Sequence, residues 1–228
     1  MTLKLQALAL LSLFFISVSA QKEYTSLADA LKNPADVKSL NLSNKALTLL
    51  PDDIGKLVNL EKLNLADNKL VSLPKGLFTL KKLKVLNLNG NKFISVPTAI
   101  SQLKSLEELE IGYNLISALP KELGSLTNLK RLVAPRNNLK DLPAEMNQLK
   151  ALEILDLAYN QFAAFPLALT GIASLKSVDV SFNKSMAAYP TEIKNLQALK
   201  LLNLKNTQIT GAQVEDMTWL IANCQITL

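Results

Sequence analysis

The chain has 228 residues, 49% of them hydrophobic but only 5% aromatic, and a formal net charge of +6. It contains no histidine and one cysteine, Cys224, which excludes histidine-based acid–base chemistry, His/Cys metal clusters and internal disulfides. A sizeable core is available, but it must be built from aliphatic side chains.

The first twenty residues read as a secretory signal peptide. Lys4 is the only charge before the apolar run Leu5 to Ile16, and Val18-Ser19-Ala20 offers small residues before Gln21. The run is short for a bilayer span. Cleavage is expected between Ala20 and Gln21, giving a secreted, periplasmic or cell-surface protein with no membrane span. Losing Lys4 leaves 24 basic against 19 acidic residues, a mature charge of +5.

Residues 21–36 read as an N-terminal cap, with a helix from Tyr24 to Lys32. Ser26 and Asp29 are spaced as a capping box, Tyr24, Leu27 and Leu31 share a face, and Asn33-Pro34 ends the helix. A repeating pattern occupies residues 37–210. Leu60, Leu63, Leu65, Asn68, Leu70, Leu73 and Pro74 recur 23 residues later as Leu83, Leu86, Leu88, Asn91, Phe93, Val96 and Pro97. They recur again as Leu106, Leu109, Ile111, Asn114, Ile116, Leu119 and Pro120. Repeats begin at Val37, Leu60, Leu83, Leu106, Leu129, Leu152, Leu175 and Leu199; the last step is 24 because one residue is inserted near Ser185. A period in this range marks a solenoid. Residues 211–228 read as a C-terminal cap: a helix burying Val214, Met217, Leu220 and Ile221 with Trp219 beside them, then an edge strand from Cys224 to Leu228. One domain is expected.

Within a repeat, alternation places Leu63 and Leu65 inward and Lys62 and Asn64 outward. Eight stacked parallel strands would form a face about 34 Å long. The three-residue apolar spacing after Leu73-Pro74 predicts a 3₁₀ turn on the opposite side. Asn68, Asn91, Asn114, Asn137, Asn160 and Asn183 form one column, expected to satisfy buried backbone groups. Asn183 also sits in one of two Asn-x-Ser sequons, and neither is expected to carry a glycan. The column Lys38, Glu61, Lys84, Glu107, Lys130, Glu153, Lys176 alternates in sign and is expected to form a locally neutral ladder that specifies register.

The outward columns are not dictated by the core. Repeats one to three show Asn41, Asn64 and Asn87, a small polar surface. Repeats four to seven instead carry Tyr113, Arg136, Tyr159 and Phe182 in the last outward slot before the asparagine column. Around them lie Glu108, Glu110, Arg131, Val133, Ile154, Asp156 and Asp179. Tyr, Phe and Arg are enriched at interface centres, so these eleven residues are the candidate partner-binding set.

The pattern L-x-x-L-x-L-x-x-N-x-L-x-x-L-P-x-x-I-G-x-L, seen from Leu106 to Leu126 with Leu123 in the Ile slot, resembles the 23-residue leucine-rich repeats of exported bacterial proteins. The resemblance runs from Val37 to Ile209, and Asn223-Cys224-Gln225-Ile226 is similar to that group's terminal cap. Ala134-Pro135, the insertion in repeat seven and Lys45 in the first ladder slot depart from it. The fold class implied is α/β: a leucine-rich repeat solenoid with parallel strands on a concave face and short 3₁₀ or helical turns on a convex one. The resemblance implies a monomeric protein-binding scaffold for a host or envelope protein. A carbohydrate or cell-wall module using the same aromatic row is the alternative. Scattered lysines form no basic stripe for nucleic acid. No nucleophile–base pair, phosphate loop or metal cluster points to an enzyme or a cofactor.

Overall fold

The structure, a computed structural model, describes residues 22–228; the expected signal peptide lies outside them. Ten parallel strands form one sheet in strictly sequential order. They are β1 (Glu23–Tyr24), β2 (Ser39–Asn41), β3 (Lys62–Asn64), β4 (Val85–Asn87), β5 (Glu108–Glu110), β6 (Arg131–Val133), β7 (Ile154–Asp156), β8 (Ser177–Asp179), β9 (Leu201–Asn203) and β10 (Gln225–Thr227). Register follows the repeat: Leu40, Leu63, Leu86, Leu109, Leu132, Leu155, Val178 and Leu202 face one another along the stack. All eight are buried. Each of the first seven repeats returns through a 3₁₀ turn that starts after a proline: Pro51, Pro74, Pro97, Pro120, Pro143, Pro166 and Pro190. Proline's fixed φ suits that entry, and its carbonyl accepts the first bond, as from Leu77 N–H at 3.2 Å.

The buried asparagine column closes the corner between strand and return. Asn114 Oδ1 accepts from Phe93 N–H at 3.0 Å, while its Nδ2 donates to Leu88, Ile111 and Gly112 carbonyls at 3.0, 3.1 and 3.0 Å. One amide thus joins two repeats and satisfies groups that water cannot reach. Asn68, Asn91, Asn137, Asn160 and Asn183 repeat the arrangement. Asn183 is fully buried, so its sequon is inaccessible.

Three expectations change. Tyr24 does not begin a helix: it lies in β1, which pairs with β2 through Glu23↔Ser39 and Tyr24↔Leu40. Ser39 Oγ and Asn41 Nδ2 both donate to the Glu23 carboxylate, and β1 is the one strand added to the eight repeat strands and the expected C-terminal edge strand, β10. The helix that follows, α1, is only Leu27–Ala30; Ser26 caps it, but Asp29 turns to Lys32 at 2.7 Å instead of closing a capping box. Second, the alternating charge column is three separate pairs, Glu61–Lys84, Glu107–Lys130 and Glu153–Lys176 at 2.7, 2.7 and 2.8 Å, not a continuous ladder. Exposed pairs of this kind contribute about 0–1 kcal/mol each. Third, α2 (Gly211–Leu220) closes a capping box between Thr210 and Gln213 and buries Met217, with Ile221 buried just after it. Trp219 takes no part, being 87% exposed.

Replacing Asn114 with alanine orphans the buried Phe93 N–H, while the Leu88, Ile111 and Gly112 carbonyls each lose one of two donors and keep Asn91 Nδ2, Asn137 Nδ2 and Gly90 N–H. Asn114→Ala is expected to lower stability by about 1–3 kcal/mol in chemical denaturation. Unchanged stability would refute the role given to the column.

Candidate binding face

The site begins with the backbone just before each ladder asparagine. Reaching the carbonyls two and three residues back requires a tight turn; the residue inside it adopts positive φ in the six repeats with a ladder asparagine, and the same turn recurs before Lys45 and Thr207 in the end repeats. Asn44, Asp67 and Asn206 each have φ of 55° and Gly90 has 65°. Asn, Asp and Gly enter this left-handed region with little penalty. Tyr113, Arg136, Tyr159 and Phe182 occupy it at φ 54°, 53°, 56° and 58°. For such residues the conformation costs roughly 1–2 kcal/mol each. The row therefore stands on the turn at the end of the strands, along the edge of the strand face.

The four side chains form one stack. The Tyr159 and Phe182 rings lie 4.0 Å apart and nearly parallel, at 7°. The Arg136 guanidinium covers the other side of Tyr159 at 4.1 Å and reaches Tyr113 at 5.4 Å. The stack is still open to solvent: Tyr113 is 58% and Tyr159 37% exposed.

On the strand face, Glu108, Arg131 and Ile154 are neighbours in register, as are Glu110, Val133, Asp156 and Asp179. Arg131, on the strand face, lies with its Nε 3.8 Å from Glu110 Oε1. Val133 does not add apolar contact area as expected, because it is only 8% exposed between its neighbours. Ile154 remains half-buried.

The column ending each strand explains the departure at Ala134-Pro135. Asn64, Asn87, Asp156 and Asp179 each accept the N–H two residues ahead, at 2.9, 2.9, 2.9 and 2.8 Å. Val133 has no acceptor to offer, and the residue two ahead is Pro135, which has no N–H to satisfy. Gly112 accommodates this proline: a Cβ there would sit 2.9 Å from Pro135 Cδ. Its own N–H donates to Asn89 Oδ1 at 2.6 Å, which releases Glu110 from the turn. Asn87 and Asn89 Nδ2 then hold the Glu110 carboxylate, both at 2.8 Å. Sequence reading had not connected Asn87 or Asn89 to the site.

Charge divides along the stack. The strand side carries Glu108, Glu110, Asp156 and Asp179 against Arg131; the turn side carries Arg136, Lys140 and Lys184. Burial pushes the Asp156 carboxyl above the ordinary carboxylate range. The Ala158 N–H opposes that shift, Asp179 adds to it and Arg131 opposes it. Among the described residues, no group of three His, Cys, Asp or Glu is arranged to hold a metal, and no helix is long and apolar enough to cross a membrane.

A family profile described as "Leucine-rich repeat region" matches residues 3–135. No curated protein sequence matches. Among solved structures, a repeat protein of Leptospira interrogans shares 35% identity and a TM-score of 0.74, covering 91% of this chain and 58% of its own. Internalin C2 of Listeria monocytogenes is similar in fold, at 24% identity and TM-score 0.73, over 86% of this chain and 82% of its own. The ectodomain of the plant membrane receptor kinase GASSHO1/SCHENGEN3 from Arabidopsis thaliana, solved with CASPARIAN STRIP INTEGRITY FACTOR 2, shows 26% identity and TM-score 0.67. It is matched over 90% of this chain and 28% of its own.

Asp156 holds its proton to higher pH in the folded chain than in the unfolded one. Its contribution therefore turns unfavourable as pH rises from the unfolded value through the folded one, and vanishes below both. Asn can keep the bond from Ala158 without the charge. Asp156→Asn is expected to melt higher than the parent at neutral pH, with the gain shrinking as pH falls into the ordinary carboxylate range. A lower melting temperature at neutral pH would contradict this.

Proposed function

This chain belongs to the leucine-rich repeat family, and from that premise we propose that it is a non-catalytic scaffold binding a protein partner across repeats four to seven, centred on Arg136. The observation that carries the reading is the row Tyr113, Arg136, Tyr159 and Phe182, held in left-handed backbone where other repeats use Asn, Asp or Gly. Residues in sparsely populated conformations cluster at functional sites. Exposed aromatic and arginine side chains within a charged rim suit the centre of an interface. The apolar segment Leu5 to Ile16 and the small residues after it support export to the cell surface or beyond.

The geometry favours a protein over a carbohydrate. A sugar stacks on an open ring face, but both faces of Tyr159 are covered, by Arg136 and by Phe182. The stack offers ring edges and a guanidinium, which suit peptide groups and charged side chains.

With a binder in hand, Tyr113→Ala, Arg136→Ala and Tyr159→Ala are each expected to weaken it by roughly tenfold or more. Lys62→Ala, on the strand face among the small polar residues, should change little. Asn41 and Asn64 are poorer controls because each holds a backbone N–H in its own turn. Calorimetric titration of folded variants decides the matter: loss confined to Lys62→Ala would place the site in the other half.

A further inference from the structure

The extra residue of repeat seven changes the turn-side rim at one place. In regular repeats the residue after the ladder asparagine bonds back to the previous turn. Lys69 N–H donates to Leu47 O, Lys92 to Leu70, Leu115 to Phe93, Asn138 to Ile116 and Gln161 to Leu139, at 2.8–2.9 Å. The next rung, onto Phe162 O, is missing among the described residues. Met186 N–H instead donates to Asn183 O, and the series resumes with Gln208 on Met186. Lys184 N–H and Ser185 N–H are left with no hydrogen-bond acceptor among the described residues.

A groove lies at this break, lined by Tyr159, Phe182, Lys140, Lys184, Ser185 and Gln161 among others. Its lining holds two lysines and no carboxylate. Neither ammonium group is in an ion pair among the described residues, unlike Lys84, Lys130 and Lys176. Tyr159, stacked on both faces, has only its edge left for a ligand, and ring edges carry the positive side of the quadrupole. The two lysines and Ser185 of the lining, the unpartnered N–H groups of Lys184 and Ser185 beside it and a ring edge all favour negative charge.

We propose that this groove receives a carboxylate side chain of the protein partner, next to an apolar residue that lies against Phe182. This rests on the protein-binding reading above and narrows it. The partner's segment would set its acidic group on the turn side of the stack and any basic group over Glu108 and Asp156. A uronic-acid glycan could supply the same carboxylate, but the covered faces of Tyr159 disfavour a sugar ring.

The test is an NMR titration of the isotope-labelled protein with three probes. They are the blocked peptide Gly-Glu-Phe-Glu-Gly, its Gly-Gln-Phe-Gln-Gly counterpart, and trigalacturonate. The acidic peptide should shift the amide signals of Lys184 and Ser185, and its glutamine counterpart should not. The double variant Lys140→Glu, Lys184→Glu changes two exposed side chains and should weaken the acidic peptide roughly tenfold or more. Deleting Ser185, which restores the 23-residue step, should abolish the shift at Lys184. Equal shifts from both peptides, or none at Lys184 and Ser185, would overturn the proposal. So would a response to trigalacturonate alone, which would assign the groove to a glycan. If the groove fails while Tyr113→Ala still weakens a partner, the scaffold reading stands without it.

Discussion

The buried asparagine amide is the interaction on which the rest of this molecule depends. A solenoid must turn a corner after every strand, and the corner leaves core backbone groups that side chains must help to satisfy. Asn114 meets four of them at once, in two different repeats. To place its carbonyl partners within reach, the chain passes through left-handed backbone at the preceding residue. The corner that the ladder closes therefore carries an exterior column, which continues into the end repeats at Asn44 and Asn206.

What stands in the column is then a choice the fold does not make. Asn44, Asp67, Gly90 and Asn206 are the conformationally inexpensive answer. Tyr113, Arg136, Tyr159 and Phe182 together cost about 4–8 kcal/mol of backbone strain. Their contacts return part of it: about 0.5–1.5 kcal/mol for the ring pair and about 0.5–1 for each exposed cation–π contact. Strain exceeds return on these figures, so stability alone does not account for the row. Recognition does.

Much of this was legible in the sequence because the core is periodic. Strand positions, proline-led 3₁₀ turns and the asparagine ladder each repeat often enough that the period identifies them. Non-periodic features were harder. Tyr24 shares a helical face with Leu27 and Leu31, yet the open edge of β2 recruits it as a strand. Trp219 belongs by composition to a sealing helix, but α2 is anchored by Met217 and Ile221, leaving it outside. Val133 reads as outward by alternation, but its strand neighbours cover it. The left-handed column could have been recognised, since Asn, Asp and Gly recur there in the other repeats. The groove at Ser185 is not legible in the sequence, because an insertion announces a break without saying which hydrogen bonds are lost.

The central claim is that the row is held for contact and against backbone preference. Substituting all four positions together, as Tyr113→Asn, Arg136→Asn, Tyr159→Asn and Phe182→Asn, tests it most directly. Chemical denaturation of this variant beside the parent is the measurement. The account predicts stability equal to or above the parent, because left-handed asparagine relieves more strain than the stack returns. A clearly less stable variant would contradict it and make the stack a structural element of the solenoid.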